Sequence, residues 1–184
     1  ALYDDFDNDA SAYSDRDGDG YVDGFVYDTS QEPMLKKTIG GTGSGTGESQ
    51  FKYPRKVNVD RQGRIYVADG NNHRIKIHDP EGNFIAQIGT TGSSGKENYK
   101  FSTPQGVAVD VSGNIYVADS SNQRLVKYNS SREYVDEVGS GAGSSDSQFN
   151  GPVSVEVGAD GYVYVVDYSN NRIKKYTREL DYVR

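Results

Sequence analysis

Three stretches of this chain follow one template: FKYPRKVNVDRQGRIYVADGNNHRI at 51–75, FSTPQGVAVDVSGNIYVADSSNQRL at 101–125 and FNGPVSVEVGADGYVYVVDYSNNRI at 149–173. The period is 50 residues, then 48, measured at Phe51, Phe101 and Phe149. Tandem copies of this length are supersecondary units, each burying its apolar faces against the next. Inside the template nothing drifts: Pro54 to Asp69, Pro104 to Asp119 and Pro152 to Asp167 are each fifteen apart. The length difference falls in the joints GTTGSSGKENYK and GSGAGSSDSQ, as expected of surface loops between packed elements.

Each unit reads as four strands. VNVD, VAVD and VEVG form the first, and a turn at Gly63, Gly113 or Gly161 follows. IYVAD, IYVAD and VYVVD form a nearly continuous apolar second strand, suited to burial on both faces. RIKIH, RLVKY and RIKKY alternate, predicting a half-buried third strand. FIAQIG (84–89) and YVDEVG (134–139) supply the fourth. MLKKTIG (34–40) reads as the fourth strand of a preceding unit and LDYVR (180–184) as that of the last. With 22 glycines, 15 tyrosines and no helix-period segment, the chain is expected to be all-β. Four-stranded units of this size stack radially into a β-propeller.

The pattern F-x-x-P, a short strand ending in Asp, G-x-IYVAD and x-x-N-x-R resembles the NHL repeat. Three copies in register cover 51–173, with small departures: Gly158 stands where the other copies have Asp60 and Asp110, and Leu125 replaces Ile. The resemblance implies a propeller of antiparallel blades, about four in this chain with the first divergent. Residues 1–40 are then a calcium-binding first blade and 41–184 three NHL-type blades. NHL domains usually close with six blades, so four could close alone, belong to a longer chain, or share a ring or fibre with other copies.

Asp69, Asp119 and Asp167 are each followed by Asn at +3 and Arg at +5, giving Asn72/Arg74, Asn122/Arg124 and Asn170/Arg172. A ring of ligand-binding charges is one reading. The other is scaffolding: Asp and Asn build the turn through side-chain to backbone bonds, and Arg pairs with acids or carbonyls of a neighbouring blade. Recurrence at equivalent places favours scaffolding, since a dedicated site breaks repeat symmetry. By the same logic Tyr66, Tyr116 and Tyr164 are expected in packing rather than in carbohydrate stacking.

The net charge of −7 sits in the first 24 residues, which carry eight acids and one base. Such asymmetry calls for a cation or a solvated tail. DRDGDGYVD (15–23) places Asp15, Asp17, Asp19, the carbonyl of Tyr21 and Asp23 at the spacing of an EF-hand-type calcium loop, with Gly20 at the sharp turn. Val26 stands where an EF-hand has its bidentate Glu, and the loop more closely resembles the DxDGDGxxD loops of FG-GAP or VCBS-type blades. GFVYD (24–28) is then the strand it leads into. Asp5, Asp7 and Asp9 alternate without a glycine and either complete the same site or form a weak one. The expected cofactor is calcium, in a structural role.

Nucleic acid is not the expected partner, because phosphate needs a basic surface. The candidates Lys36/Lys37 and Arg172/Lys174/Lys175 are sparse and balanced by acids. No apolar run is long enough to span a membrane. Amidating lyases resemble NHL propellers and hold zinc with histidines near the axis, but this chain has only His73 and His78, and two cannot make a three-histidine site. There is no cysteine. The abundance of Tyr, Ser, Asn and Gly points to an extracellular or cell-surface setting. The expected function is a non-enzymatic, calcium-stabilised propeller serving as a scaffold for protein–protein contact or self-assembly. The alternatives are a ligand- or glycan-binding sensor domain of a larger surface protein, and a calcium-dependent lyase or hydrolase with a site in the axial channel.

Overall fold

A computed structural model describes residues 37–41 and 43–183. Eleven strands follow one another: β1 (Pro54–Val59), β2 (Ile65–Asp69), β3 (Arg74–His78), β4 (Phe84–Ile88), β5 (Pro104–Val109), β6 (Ile115–Asp119), β7 (Arg124–Tyr128), β8 (Tyr134–Val138), β9 (Pro152–Val157), β10 (Val163–Asp167) and β11 (Arg172–Tyr176). They form three antiparallel sheets, ordered β1-β2-β3-β4, β5-β6-β7-β8 and β9-β10-β11. The first strands β1, β5 and β9 pack side by side, so the sheets stand as blades around a common axis, a β-propeller arrangement. All of this lies in the compact unit 39–184.

Two cores fill the wedges between blades. Between the first and second lie Tyr66, Ala68, Ile75, Phe101, Val107 and Val117. Between the second and third, the same template positions recur as Tyr116, Ala118, Leu125, Phe149, Val155 and Val165. The second and third strands of the second blade therefore face both wedges: Tyr116, Ala118 and Leu125 fill the one after it, and Val117 and Val126 join Val107 of its first strand in the one before it.

Tight turns connect the strands. Gly63, Gly113 and Gly161, at φ of 77°, 83° and 81°, turn the first hairpin of each blade. A single 3-10 turn after each second strand ends on a left-handed residue, His73, Gln123 or Asn171. Gly139, which closes β8, has φ 127°, and a Cβ there would lie 2.3 Å from the Gln123 carbonyl oxygen. Only glycine lets the fourth strand leave this close to the start of the third.

Three expectations change. The third strands of the first two blades are not half-buried: every residue of β3 and β7 is buried, charged ones included, because the joint preceding each blade folds back over them, whereas β11 is half-buried as expected. LDYVR does not form a full fourth strand. It pairs through a Tyr176–Tyr182 bridge and the Val183 amide on the Lys175 carbonyl (2.8 Å), the same register that pairs Tyr128 with Tyr134. Residues 37–40 of MLKKTIG carry no strand. A fourth strand needs its own blade's third strand, which for MLKKTIG falls outside the described residues.

Candidate functional site

Each Asp–Asn–Arg set forms a clip. Asp119 accepts the Ser102 amide (2.7 Å), the Asn122 side-chain amide (2.7 Å) and Arg124 Nε (2.8 Å). Asp69 accepts the corresponding donors of Lys52, Asn72 and Arg74 at 2.6, 2.8 and 2.8 Å. Asp167 accepts those of Asn150, Asn170 and Arg172 at 2.7, 2.8 and 2.8 Å. Each Asn also donates to the preceding joint, at the carbonyls of Gly45, Gly95 and Gly143. The rest of each guanidinium does the same: Arg124 reaches the carbonyls of Lys96 and Lys100, and Arg172 those of Ser144, Ser145 and Gln148. The arginines thus pair with the acid of their own blade, not of a neighbour, and fasten the joint leading into it. Burial pushes the Asp167 carboxyl up, but its three hydrogen bonds and Arg172 win, holding it below the usual range.

Two buried lysines do related work. Lys174 Nζ sits on the carbonyls of Asp146 (2.6 Å) and Gln148 (2.7 Å), with the Phe149 ring centroid 4.5 Å away. Lys76 donates to the carbonyls of Glu48 and Gln50, 4.5 Å from the Phe51 ring. Burial lowers the pKa of both. In the second blade the matching residue is Val126, and the Tyr128 hydroxyl reaches the joint instead, at Asn98 (2.5 Å). Lys174 is therefore not a surface base of the kind a nucleic-acid face would need. Lys175 pairs with Asp160 (3.2 Å) over the Tyr162 ring, so the trio 172/174/175 makes no basic patch. An alternation of Arg and Lys with apolar residues is a poor guide where a carbonyl-rich loop covers the strand.

The recurrent tyrosines bind recurrent acids. The hydroxyls of Tyr66 and Tyr116 donate to Asp60 (3.1 Å) and Asp110 (3.2 Å). In the third blade Gly158 removes that acid, and Asp160, two residues on, accepts Tyr164 at 2.6 Å.

Symmetry-breaking residues are few. Lys56, at the inner edge of the first blade, reaches past the second to Ser154 Oγ (3.3 Å), the Val155 carbonyl (2.5 Å) and Glu156 (2.7 Å) of the third. The second blade's equivalent is Gly106, where a Cβ would meet Val155 N at 2.9 Å. Without a side chain there, the lysine has room to cross. His78 is buried between Phe51 and Phe84; Nδ1 faces the Gly82 carbonyl (3.2 Å) and Nε2 has no partner. Burial lowers its pKa. His73 Nδ1 accepts the Thr103 amide of the next blade (3.1 Å). A cavity of about 540 Å³ opens between the end of β8 and the C-terminal turn, lined by Glu137, Val138, Asp146, Tyr176, Leu180 and Tyr182. It offers an apolar floor with an acidic rim, although Glu137 is already paired with Arg124.

Among the described residues no three His, Cys, Asp or Glu side chains group as metal ligands, and no helix is long and apolar enough to cross a membrane. The expected calcium ligands Asp15, Asp17, Asp19, Tyr21 and Asp23, with Asp5, Asp7 and Asp9, lie outside the described residues.

The NHL repeat model matches residues 51–77, 101–128 and 149–176. An 83-residue stretch is 35% identical to NHL repeat-containing protein 3 of Mus musculus, covering 41% of this chain and 23% of that protein. A 48-residue stretch is 52% identical to Protein brain tumor of Drosophila melanogaster, covering 26% and 5%. The chain therefore spans less than a quarter of the length of these relatives. Among solved structures a streptogramin B lyase aligns over 69% of this chain and 38% of its own, with a TM-score of 0.54 at 16% identity, a likeness of fold. The chain contains three NHL repeats in a propeller arrangement.

Proposed function

We propose, with three tandem NHL repeats as the premise, that this chain is a non-enzymatic scaffold for protein–protein contact. It works at the cell surface or outside the cell, and calcium steadies its N-terminal acidic loop. The carrying observation is the division of labour among polar groups. The recurrent acids, arginines and buried lysines are spent on fastening joints to blades, while among the described residues large apolar side chains stand exposed on the first and third blades. Val57 and Val59 are exposed on the first of these blades, Tyr168 and Ile173 on the third. Exposed apolar patches of this kind mark interaction surfaces. The calcium part rests on the spacing of Asp15, Asp17, Asp19, Tyr21 and Asp23 around Gly20.

Melting curves in calcium and in a chelator test the metal: chelation should lower the melting temperature, and identical curves would remove calcium from the proposal. A panel of lyase and esterase substrates tests the rest. No turnover is expected, and turnover abolished by chelator would replace the scaffold with an enzyme.

A further inference from the structure

We propose that the cavity between the second and third blades is a binding site for a phenol ring, and that Tyr99, in the wedge before it, shows how such a ring sits. The joint preceding the second blade carries Tyr99 two residues before Phe101; the joint preceding the third carries Ser147 two residues before Phe149. Tyr99 packs on Tyr128, with ring centroids 6.1 Å apart, and its hydroxyl accepts the Tyr134 amide (3.2 Å). Tyr176 and Tyr182 stand at the template positions of Tyr128 and Tyr134, and both line the cavity together with Ser147. The cavity is thus the seat of Tyr99 one blade on, opened by a serine. Its volume of about 540 Å³ lies in the range of small-molecule sites, roughly 300–1,000 Å³. A complete fourth strand does not close the seat: β8 is complete, yet Tyr99, bonded to its first residue, stays 51% exposed.

Two polar groups of the lining suit a bound hydroxyl. The Tyr182 amide matches the Tyr134 amide that holds Tyr99. It has no hydrogen-bond partner among the described residues, because the bridge to Tyr176 is bonded through the Val183 and Thr177 amides on either side. Tyr176 is only 2% exposed, yet its hydroxyl also lacks a partner among the described residues. Its twin Tyr128 donates to the Asn98 carbonyl, whereas in the third blade Lys174 takes the matching carbonyl, that of Asp146 (2.6 Å). A polar group this deeply buried ordinarily has a partner, and a ligand hydroxyl would supply one. Val138 and Leu180 give the ring apolar walls.

The test is a titration with 4-methylphenol followed by amide NMR. The Tyr182 amide should shift and saturate, while the Tyr134 amide, already bonded to Tyr99, stays still. Ser147→Tyr should seat its own ring: it should lose the site and melt no lower than the parent, which shows that it folds. Tyr99→Ser should open the matching seat, so that the Tyr134 amide now shifts as well. Toluene, which lacks the hydroxyl, should bind roughly 2- to 10-fold more weakly. Saturable shifts at Tyr182 that survive in Ser147→Tyr would overturn the seat, and equal affinity for toluene would overturn the phenol. No shift at Tyr182 up to the solubility of 4-methylphenol would overturn the site outright, whether or not the variants fold, and would leave the scaffold reading untouched. N-acetyltyrosine amide separates the two sources of the ring. Tighter binding than that of 4-methylphenol supports the site as a seat for a tyrosine of a polypeptide, and its exclusion supports a free phenol.

Discussion

The second and third blades share a template but not their surroundings. The second is covered on both sides, and Leu125, Tyr116 and the Arg124 side chain are all at 0% exposure. The third is covered on one side. Ile173 is 66% exposed, Tyr164 is half-buried, and the Arg172 side chain stands at 28%. Residue type and local hydrogen bonding are nearly the same in the two blades. What differs is whether a further blade follows among the described residues and whether a full fourth strand brings an acid to the arginine, as Glu137 of β8 does for Arg124. In a stack of repeats, burial is thus a nearest-neighbour quantity, and a position that is core in one copy is surface in the next.

The clips should show the largest difference. Asp119→Ala leaves Arg124 buried beside an unsatisfied Ser102 amide, a loss of about 3–5 kcal/mol in chemical denaturation. Asp167→Ala should cost clearly less, because water reaches Arg172 and replaces part of what is lost. Equal losses would mean that the clip is insensitive to its neighbour, and the comparison would break. Next comes the apolar pair. Leu125→Ala should cost about 2–4 kcal/mol through lost burial and a cavity, whereas Ile173→Ala should stay within about 0.5 kcal/mol. A large cost at Ile173 would show that something already covers it.

Repetition makes the fold legible. The constant Pro-to-Asp spacing, the glycine turns and the apolar second strands suffice to place eight of the eleven strands within a residue, while the three first strands begin three residues earlier, at Pro54, Pro104 and Pro152; among the described residues the only helix is the three-residue turn after each second strand. The third strands mislead because Lys76 and Lys174 look like solvent-facing residues in RIKIH and RIKKY. Their burial depends on joint carbonyls 26 to 29 residues upstream, beyond any local periodicity. Lys56 is illegible for the same reason: its partners are 98 to 100 residues away and need Gly106 between them. The exposure of Ile173 is legible only once the register between blades is known, since in sequence it reads as the twin of Ile75.

The smallest expected effect isolates the first contact between blades. Among the described residues Val57 of the first blade is exposed, yet Tyr66 of the same blade is sealed, at 2% exposure, within the wedge closed by Phe101 and Val107 of the second blade. Burial pushes the Tyr66 phenol up to about 12. A raised pKa favours the neutral phenol in the folded state, so its stabilising share is complete below the free value near 10 and is lost as pH rises toward the folded value. Across that window the stability gap between the parent and Tyr66→Phe should shrink by an amount on the order of 2 kcal/mol, read from denaturation at several alkaline pH values. Burial also raises Tyr116, Tyr128 and Tyr176, so both proteins weaken in alkali and only the difference reports on Tyr66. A constant gap would place that phenol in contact with water. The first wedge would then be open, and the contrast between covered and bare faces would have to be redrawn one blade earlier.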